Sequence, residues 1–331
     1  MREKRNLLKA ISLFMLVVLL CSELATGTSL VAKGEEKEPS INQAPISTMS
    51  VYKGMDTSFL KKFAFGSASG KTVDLKYETA TQLLEAADNR LREGKIVQTF
   101  GFYSANDGGG ATYQLIKKKE TGSLELGNGL YAKLIPDTKE INGKTWGVIS
   151  VKQLGAQPND DKADNGYVNE AVGLANEFTK NNNIFRSIVY VPKGEYKCDN
   201  EVFVNGENIN FVGDGEDTLF YTDNDYRKNL GYSEFFFTMW GAKNLYMGDF
   251  KVEAREVNGY KYMRQMVFVD CNNVYTYNVD LNIPQEAFSK DFFVDKQYTS
   301  LSYYSGNKNM TLDGCKLELM CSTYRGANLG I

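Results

Sequence analysis

Four asparagines open four segments cut to one template. They read Asn208-Ile-Asn-Phe211, Asn244-Leu-Tyr-Met247, Asn273-Val-Tyr-Thr276 and Asn309-Met-Thr-Leu312. In the last three, apolar residues or Cys recur six positions after the Asn (Phe250, Val279, Cys315) and eight positions after it (Val252, Leu281, Leu317). The asparagines lie 36, 29 and 36 residues apart. Strand-like pieces recurring at such a spacing, joined by Asn/Gly turns, predict a stacked solenoid in which each repeat buries its apolar face against its neighbours. Asn suits the sharp corners, because it tolerates left-handed backbone and bonds to nearby main chain. Stacked amides can also bond from coil to coil.

Alternation along a strand then sorts the remaining positions. If plus six and plus eight face inward, plus seven and plus nine face out. Plus seven holds Lys251, Asp280 and Lys316, a charge ladder; plus nine holds Glu253, Asn282 and Glu318. With coils about 4.8 Å apart, Glu253 and Glu318 stand about 9.6 Å apart. That touches the upper edge of the separation used by inverting glycosidases, about 6.5–9.5 Å. Glu253, Glu318 and Asp280 are therefore the catalytic candidates. The competing reading is a solvated face of alternating charge, where each ion pair adds about 0–1 kcal/mol. Tyr246 and Tyr275 share the plus-two position and should stack outward. Exposed aromatics in a row make a platform for sugar rings, with Lys251 and Lys316 beside them; aromatic pairing that stabilises the sheet is the alternative.

The 331 residues suffice for one sizeable core and a small extra domain. Tyr (20) and Phe (19) are abundant and Pro (6) is scarce, which favours β structure. There is no histidine. A Ser-His-Asp triad, a Cys-His dyad and a His-ligated zinc site are thereby excluded. Catalysis must use carboxylates, Lys, Arg, Tyr or a hard metal. No cofactor is evident, and calcium is the metal such residues would suit.

Residues 1–27 combine a basic start (Arg2, Lys4, Arg5, Lys9) with a short apolar run, Ala10 to Cys21, and the small residues Ala25-Thr26-Gly27. This predicts a secretory signal peptide cut near Gly27; an uncleaved anchor is the alternative. Its loss leaves 34 basic and 39 acidic side chains of the 38 and 41 in the whole chain, a net of -5. No basic block remains for nucleic acid, and the mature chain has no stable membrane span. Export permits disulfides among Cys198, Cys271, Cys315 and Cys321, but Cys315 falls on an inward position, so buried thiols are expected.

Residues 28–50 read as a flexible polar linker. A small α+β domain is expected over 51–147. It has a helix from Glu78 to Leu91, strands Ile96–Phe100 and Ala111–Ile116 around the long glycine turn Tyr103-Ser-Ala-Asn-Asp-Gly-Gly-Gly110, and a strand over Leu130–Ile135. The triple glycine lacks the Lys-Ser/Thr of a phosphate loop, so it is a structural turn. From 148 to 331 the expectation is a strand over Val148–Leu154, a polar turn Gly155-Ala-Gln-Pro-Asn-Asp-Asp161, an amphipathic helix over 167–179, a strand over Ile188–Val191, and then the repeats.

Val151-Lys-Gln-Leu-Gly155-Ala, the helix, Val189-Tyr-Val-Pro192-Lys-Gly194-Glu-Tyr196 and Val212-Gly213-Asp-Gly215 together resemble the pectate lyase superfamily, near its polygalacturonase-like and rhamnogalacturonase/epimerase-like members. The segment Gln98-Thr-Phe-Gly-Phe-Tyr103, Asp107-Gly-Gly-Gly-Ala-Thr-Tyr113 is similar to the small domain that precedes the β-helix in tailspike-type and secreted bacterial proteins. The resemblance covers about 180 residues from Val148 on. It implies an all-β fold: a right-handed parallel β-helix of about four coils with an N-terminal capping helix. Contact with a polysaccharide or cell-surface glycan is implied too, with pectin-like hydrolysis or lysis in its ancestry, outside the cell or on its surface. The chain departs from the pattern in lacking the Gly-His element and the aspartate cluster of polygalacturonases. A non-catalytic adhesion module, or a shortened inactive enzyme, is the rival expectation.

Overall fold

A computed structural model of the chain describes residues 57–67, 69–86, 88–181, 184–223, 233–255, 262–283 and 298–319. The expected leader, the linker over 28–50 and Cys321 lie outside the described residues.

The first sheet collects β1 (Leu75–Tyr77), β2 (Ile96–Thr99), β3 (Ala111–Ile116), β4 (Ser123–Glu125) and β5 (Tyr131–Ile135) in the order β1-β2-β3-β5-β4. The expected hairpin is there: β2 and β3 pair antiparallel from Ile96↔Gln114 to Thr99↔Ala111. Helix α1 (Ala80–Glu85) is shorter than its apolar stripe predicted. Thr79 caps its start by accepting from Gln82 N–H, but Ala86 is already extended. Asp88 explains the early stop. Its carboxylate accepts from the Arg90 N–H and guanidinium and from the Tyr77 hydroxyl, folding the chain into a turn.

Next comes a hairpin of β6 (Asp137–Ile141) and β7 (Lys144–Ser150), joined by Asn142 and Gly143, both at positive φ, as a two-residue hairpin turn requires. The strand expected over 148–154 ends at Ser150. Ser150 and Gln153 bond each other's main chain as a capping box, and a 3-10 turn runs Val151–Leu154 to a left-handed Gly155. Helix α2 (Asn165–Asn181) follows and contains the predicted span. Its buried face, Val168, Ala171, Val172, Leu174 and Ala175, joins the main core beside β7.

From there the chain winds as a parallel coil with three faces. The strands are β8 (Arg186–Tyr190), β9 (Gly194–Lys197), β10 (Val202–Phe203), β11 (Ile209–Val212), β12 (Thr218–Thr222), β13 (Ser233–Trp240), β14 (Lys243–Ala254), β15 (Tyr262–Val269), β16 (Asn272–Ile283), β17 (Tyr298–Ser305), β18 (Lys308–Asp313) and β19 (Lys316–Leu319). β8, β11, the first half of β14, the first half of β16 and β18 stack parallel as one face; β7 extends it in parallel. β9, β12, the second halves of β14 and β16, and β19 make the second. β10, β13, β15 and β17 make the third. Asp249 and Asn278, at positive φ, mark the corner inside β14 and β16 where one face becomes the next.

The asparagine template does what the sequence implied. Asn208, Asn244, Asn273 and Asn309 all adopt positive φ, 50° to 59°. Asn244 Nδ2 donates to Asn208 Oδ1 at 3.0 Å and Asn273 Nδ2 to Asn244 Oδ1 at 2.6 Å. The fourth rung slips: Asn309 Nδ2 reaches Asn272 Oδ1 instead, at 3.3 Å. The inward positions are apolar and buried. Phe211 from the first face, Phe220 and Phe250 from the second and Phe237 from the third converge, with ring centroids 5.0–6.1 Å apart. Cys198, Cys271 and Cys315 are free thiols.

Candidate functional site

The second face carries the residues that the repeat singled out, and their register is as expected. Lys251 pairs with Asp280 and Asp280 with Lys316 in one ladder; Glu253 pairs with Asn282 and Asn282 with Glu318 in the next. The structure adds partners that spacing could not supply. Arg255 Nε holds Glu253 at 2.7 Å, and Arg255 Nη2 holds Glu195 at 2.7 Å. The same guanidinium lies 3.9 Å from the centre of the Tyr221 ring. Asn282 Nδ2 donates to the other oxygen of Glu253 at 3.2 Å, and Lys251 reaches Glu216 at 3.4 Å. Glu253 is thus tied into a charged network across neighbouring turns.

The tyrosine row needs correction. Tyr246 and Tyr275 do stack on adjacent turns, with ring centroids 5.8 Å apart and planes 12° from parallel. They do not form an open platform, since they are only 3% and 5% exposed. Both belong to a second apolar cluster on the outside of the first face, with Trp146, Val148, Ile188, Tyr190, Val212 and Leu60. A short 3-10 turn, Ser58–Lys62, brings Leu60 there, and Phe59, Phe63 and Phe65 pack around it. The Tyr275 hydroxyl is also taken, donating to Asp313 Oδ2 at 2.5 Å.

A deep concavity lies elsewhere, where four described segments meet. It is a cleft of about 950 Å³ between the 60–65 segment, the 102–108 loop, the 156–159 loop and the ends of β8 and β11. Two of its carboxylates are fully engaged. Asp107 accepts from the N–H groups of Phe102, Tyr103, Ser104 and Gly109. Burial alone would raise its pKa, but those four donors hold it below the usual carboxylate range. Asp214 accepts from the Tyr190 hydroxyl at 2.8 and 2.9 Å and from Lys193 N–H at 2.9 Å, with Lys61 Nζ 3.8 Å away. Burial, then the bond to Asp214, pushes the Tyr190 phenol far up, so it is a fixed donor.

At the rim stands Tyr103, 43% exposed, its hydroxyl donating to Gly155 O at 2.8 Å. Burial of its oxygen, with Tyr167, Asp160 and Asp164 nearby, pushes its pKa up to about 12. Asn106, Gln157 and Asn159 add amides, Lys152 and Lys193 add ammonium groups, and Phe63, Phe65 and Phe102 add apolar surface. Aromatic faces among amides and charged donors suit a flat, hydroxyl-rich ligand. Reading the 103–110 and 155–161 segments as structural turns is correct locally but misses the cleft. Tyr103, an aromatic at the head of the predicted glycine turn between two strands, is the signal that was available.

Among the described residues no group of three or more Cys, Asp or Glu side chains could hold a metal ion, and no helix is long and apolar enough to cross a membrane.

No family model and no curated protein matches the sequence. Among solved structures, the chain is similar to the tailspike protein of Acinetobacter phage vB_ApiP_P1, at 13% identity and TM-score 0.41, over 77% of this chain and 40% of that one. The tailspike of Acinetobacter baumannii bacteriophage Fri1, a capsular polysaccharide depolymerase, matches at 13% identity and TM-score 0.35, over 73% of this chain and 52% of that one. Pantoea stewartii WceF, a glycan biofilm modifying enzyme with a tailspike-like parallel β-helix fold, matches at 9% identity and TM-score 0.27, over 79% and 51%. The chain thus spans about half or less of the length of these proteins. At such scores the likeness assigns no role to any residue.

Proposed function

We propose that the protein holds a polysaccharide chain in the cleft beside the first turns of its parallel coil. The observation that carries this is the cleft itself: about 950 Å³, with Tyr103 at the rim and amides, lysines and aromatic rings along its walls. The finer features belong to the same proposal. They are right-handed winding over about four coils, α2 as the cap of the first turn, descent from the pectate lyase superfamily, a pectin-like glycan, and secretion to the cell exterior. The role is binding, without turnover. Glu253 is committed to Arg255 and Asn282, and Tyr246 and Tyr275 on the first face are covered.

A second reading, inverting hydrolysis by Glu253 and Glu318 with Asp280 alongside, is favoured by one observation: the register sets Glu318 two rungs from Glu253. One experiment separates them. Binding of polygalacturonate and rhamnogalacturonan fragments is measured by calorimetry while released reducing ends and unsaturated products are followed in the same samples. The expected result is binding without product, weakened at least tenfold, about 1.4 kcal/mol, in Tyr103→Ala. Product formation that disappears in Glu253→Gln and Glu318→Gln would establish the hydrolytic reading instead.

A further inference from the structure

Asp164 closes the loop that walls the cleft. Its Oδ1 accepts from Gln157 N–H at 2.9 Å, and its own N–H donates to Lys197 O at 2.8 Å. The loop between them is pinned again at Asn159. That residue donates its N–H to Glu195 O at 2.9 Å, and its Oδ1 accepts from Glu195 N–H at 3.0 Å. Gln157, Pro158 and Asn159 of this loop line the cleft.

The other carboxyl oxygen of Asp164 is buried without a hydrogen-bond partner among the described residues, and the residue is only 2% exposed. The titratable groups that face it bring no positive charge. They are Asp160 from its own loop, Tyr103 from the 102–108 loop, Tyr196 from β9, and Cys198 just beyond it. Lys197 is adjacent in the chain, but its ammonium is turned to Asp223 at 2.8 Å. A carboxyl in such a place is tolerable when neutral and costly when charged. Burial lifts its pKa from 3.8 to about 7, against the Gln157 bond that lowers it and with Asp160 adding to the rise.

We propose that Asp164 is a proton-operated latch on the cleft: protonated, it keeps the 157–163 loop shut against the coil; ionised, it drives the loop open to reach water. The latch regulates the binding site proposed above, and it depends on that reading only for its effect on glycan. The direction follows from linkage. Between about pH 4 and pH 7 the folded chain holds a proton that the unfolded chain has released, so stability of the closed state falls as pH rises through that window. Glycan affinity then weakens as pH passes neutrality.

Amide hydrogen exchange on the full chain reads the latch without any ligand, once each rate is corrected for its intrinsic pH dependence. Protection over residues 157–163 should fall at least tenfold from pH 6 to pH 8 in the wild type. In Asp164→Asn, which stays neutral and keeps an acceptor for Gln157, it should stay within twofold. An equal fall in both proteins, or constant protection in both, overturns the proposal. Should the variant fail to fold, a carbon NMR titration of the Asp164 carboxyl in the wild type decides: a midpoint near 7 is expected, and a midpoint below 5 overturns it. Polygalacturonate binding at the same pH values tests the cleft separately, since absent binding with an intact exchange signature removes the glycan reading and leaves the latch.

Discussion

Replacing Phe237 with Ala should destabilise the fold by about 3–5 kcal/mol, read as a shift of the urea midpoint with little change of slope. Phe237 is fully buried on the third face, and it is where the three faces meet. Its ring lies 5.0 Å from Phe220, 5.6 Å from Phe250 and 6.1 Å from Phe211. The other faces are fixed by their own ladders, so they cannot collapse into the space left behind. The upper part of the range follows from that rigidity. A loss under about 1 kcal/mol would mean that the interior is not shared between the faces.

The second large effect is expected at Arg186, which is buried and belongs to the first turn. Its Nε donates to Asn210 Oδ1 at 2.7 Å and its Nη2 to Ile209 O at 2.9 Å, both in the second turn; Nη2 also donates to Asn244 O in the third. Arg186→Ala would leave two buried acceptors and one half-buried acceptor without these donors. At about 1–3 kcal/mol each, partly relieved by water, the loss should reach about 3 kcal/mol or more. Arg186→Lys should recover little, because an ammonium cannot present the planar fork that spans the turns. Asn244→Ala, which removes two amide links of the ladder and places Ala in a left-handed corner, should cost about 2 kcal/mol. Thermal denaturation of the three variants checks the ranking, and an Arg186→Lys protein as stable as wild type would refute it.

The sequence made the first two faces legible for a physical reason. A left-handed corner admits few residues besides Gly and Asn, so Asn208, Asn244, Asn273 and Asn309 mark the same corner on successive turns. From that corner the inward residues follow at fixed distances, as Phe250, Val252, Val279 and Leu281 do. The third face was hidden because its distance from the corner varies. Phe237, Met266 and Ser302 are stacked partners, yet they follow Asn208, Asn244 and Asn273 by 29, 22 and 29 residues. Alternation says which side of a strand a residue occupies, but not whether something lies over it. Tyr246 and Tyr275 sit on the outer side as expected, and the Leu60, Phe63 and Phe65 segment makes that side an interior. The cleft was illegible for a related reason: it joins residues from Leu60 to Asp217 that no local pattern connects. The charge ladder of Lys251, Asp280 and Lys316 was readable; the Arg255 bridge between Glu195 and Glu253 was not, because it links residues 60 apart.

The shared interior and the cleft both require successive Asn-led segments to lie parallel, in the same register, on neighbouring turns. Backbone nuclear Overhauser contacts on a deuterated sample test this directly. The stacking predicts contacts linking Phe250 to Val279, Val252 to Leu281 and Asp280 to Lys316, each series advancing in the same direction along both strands. Contacts that advance along one strand while retreating along the other would contradict it.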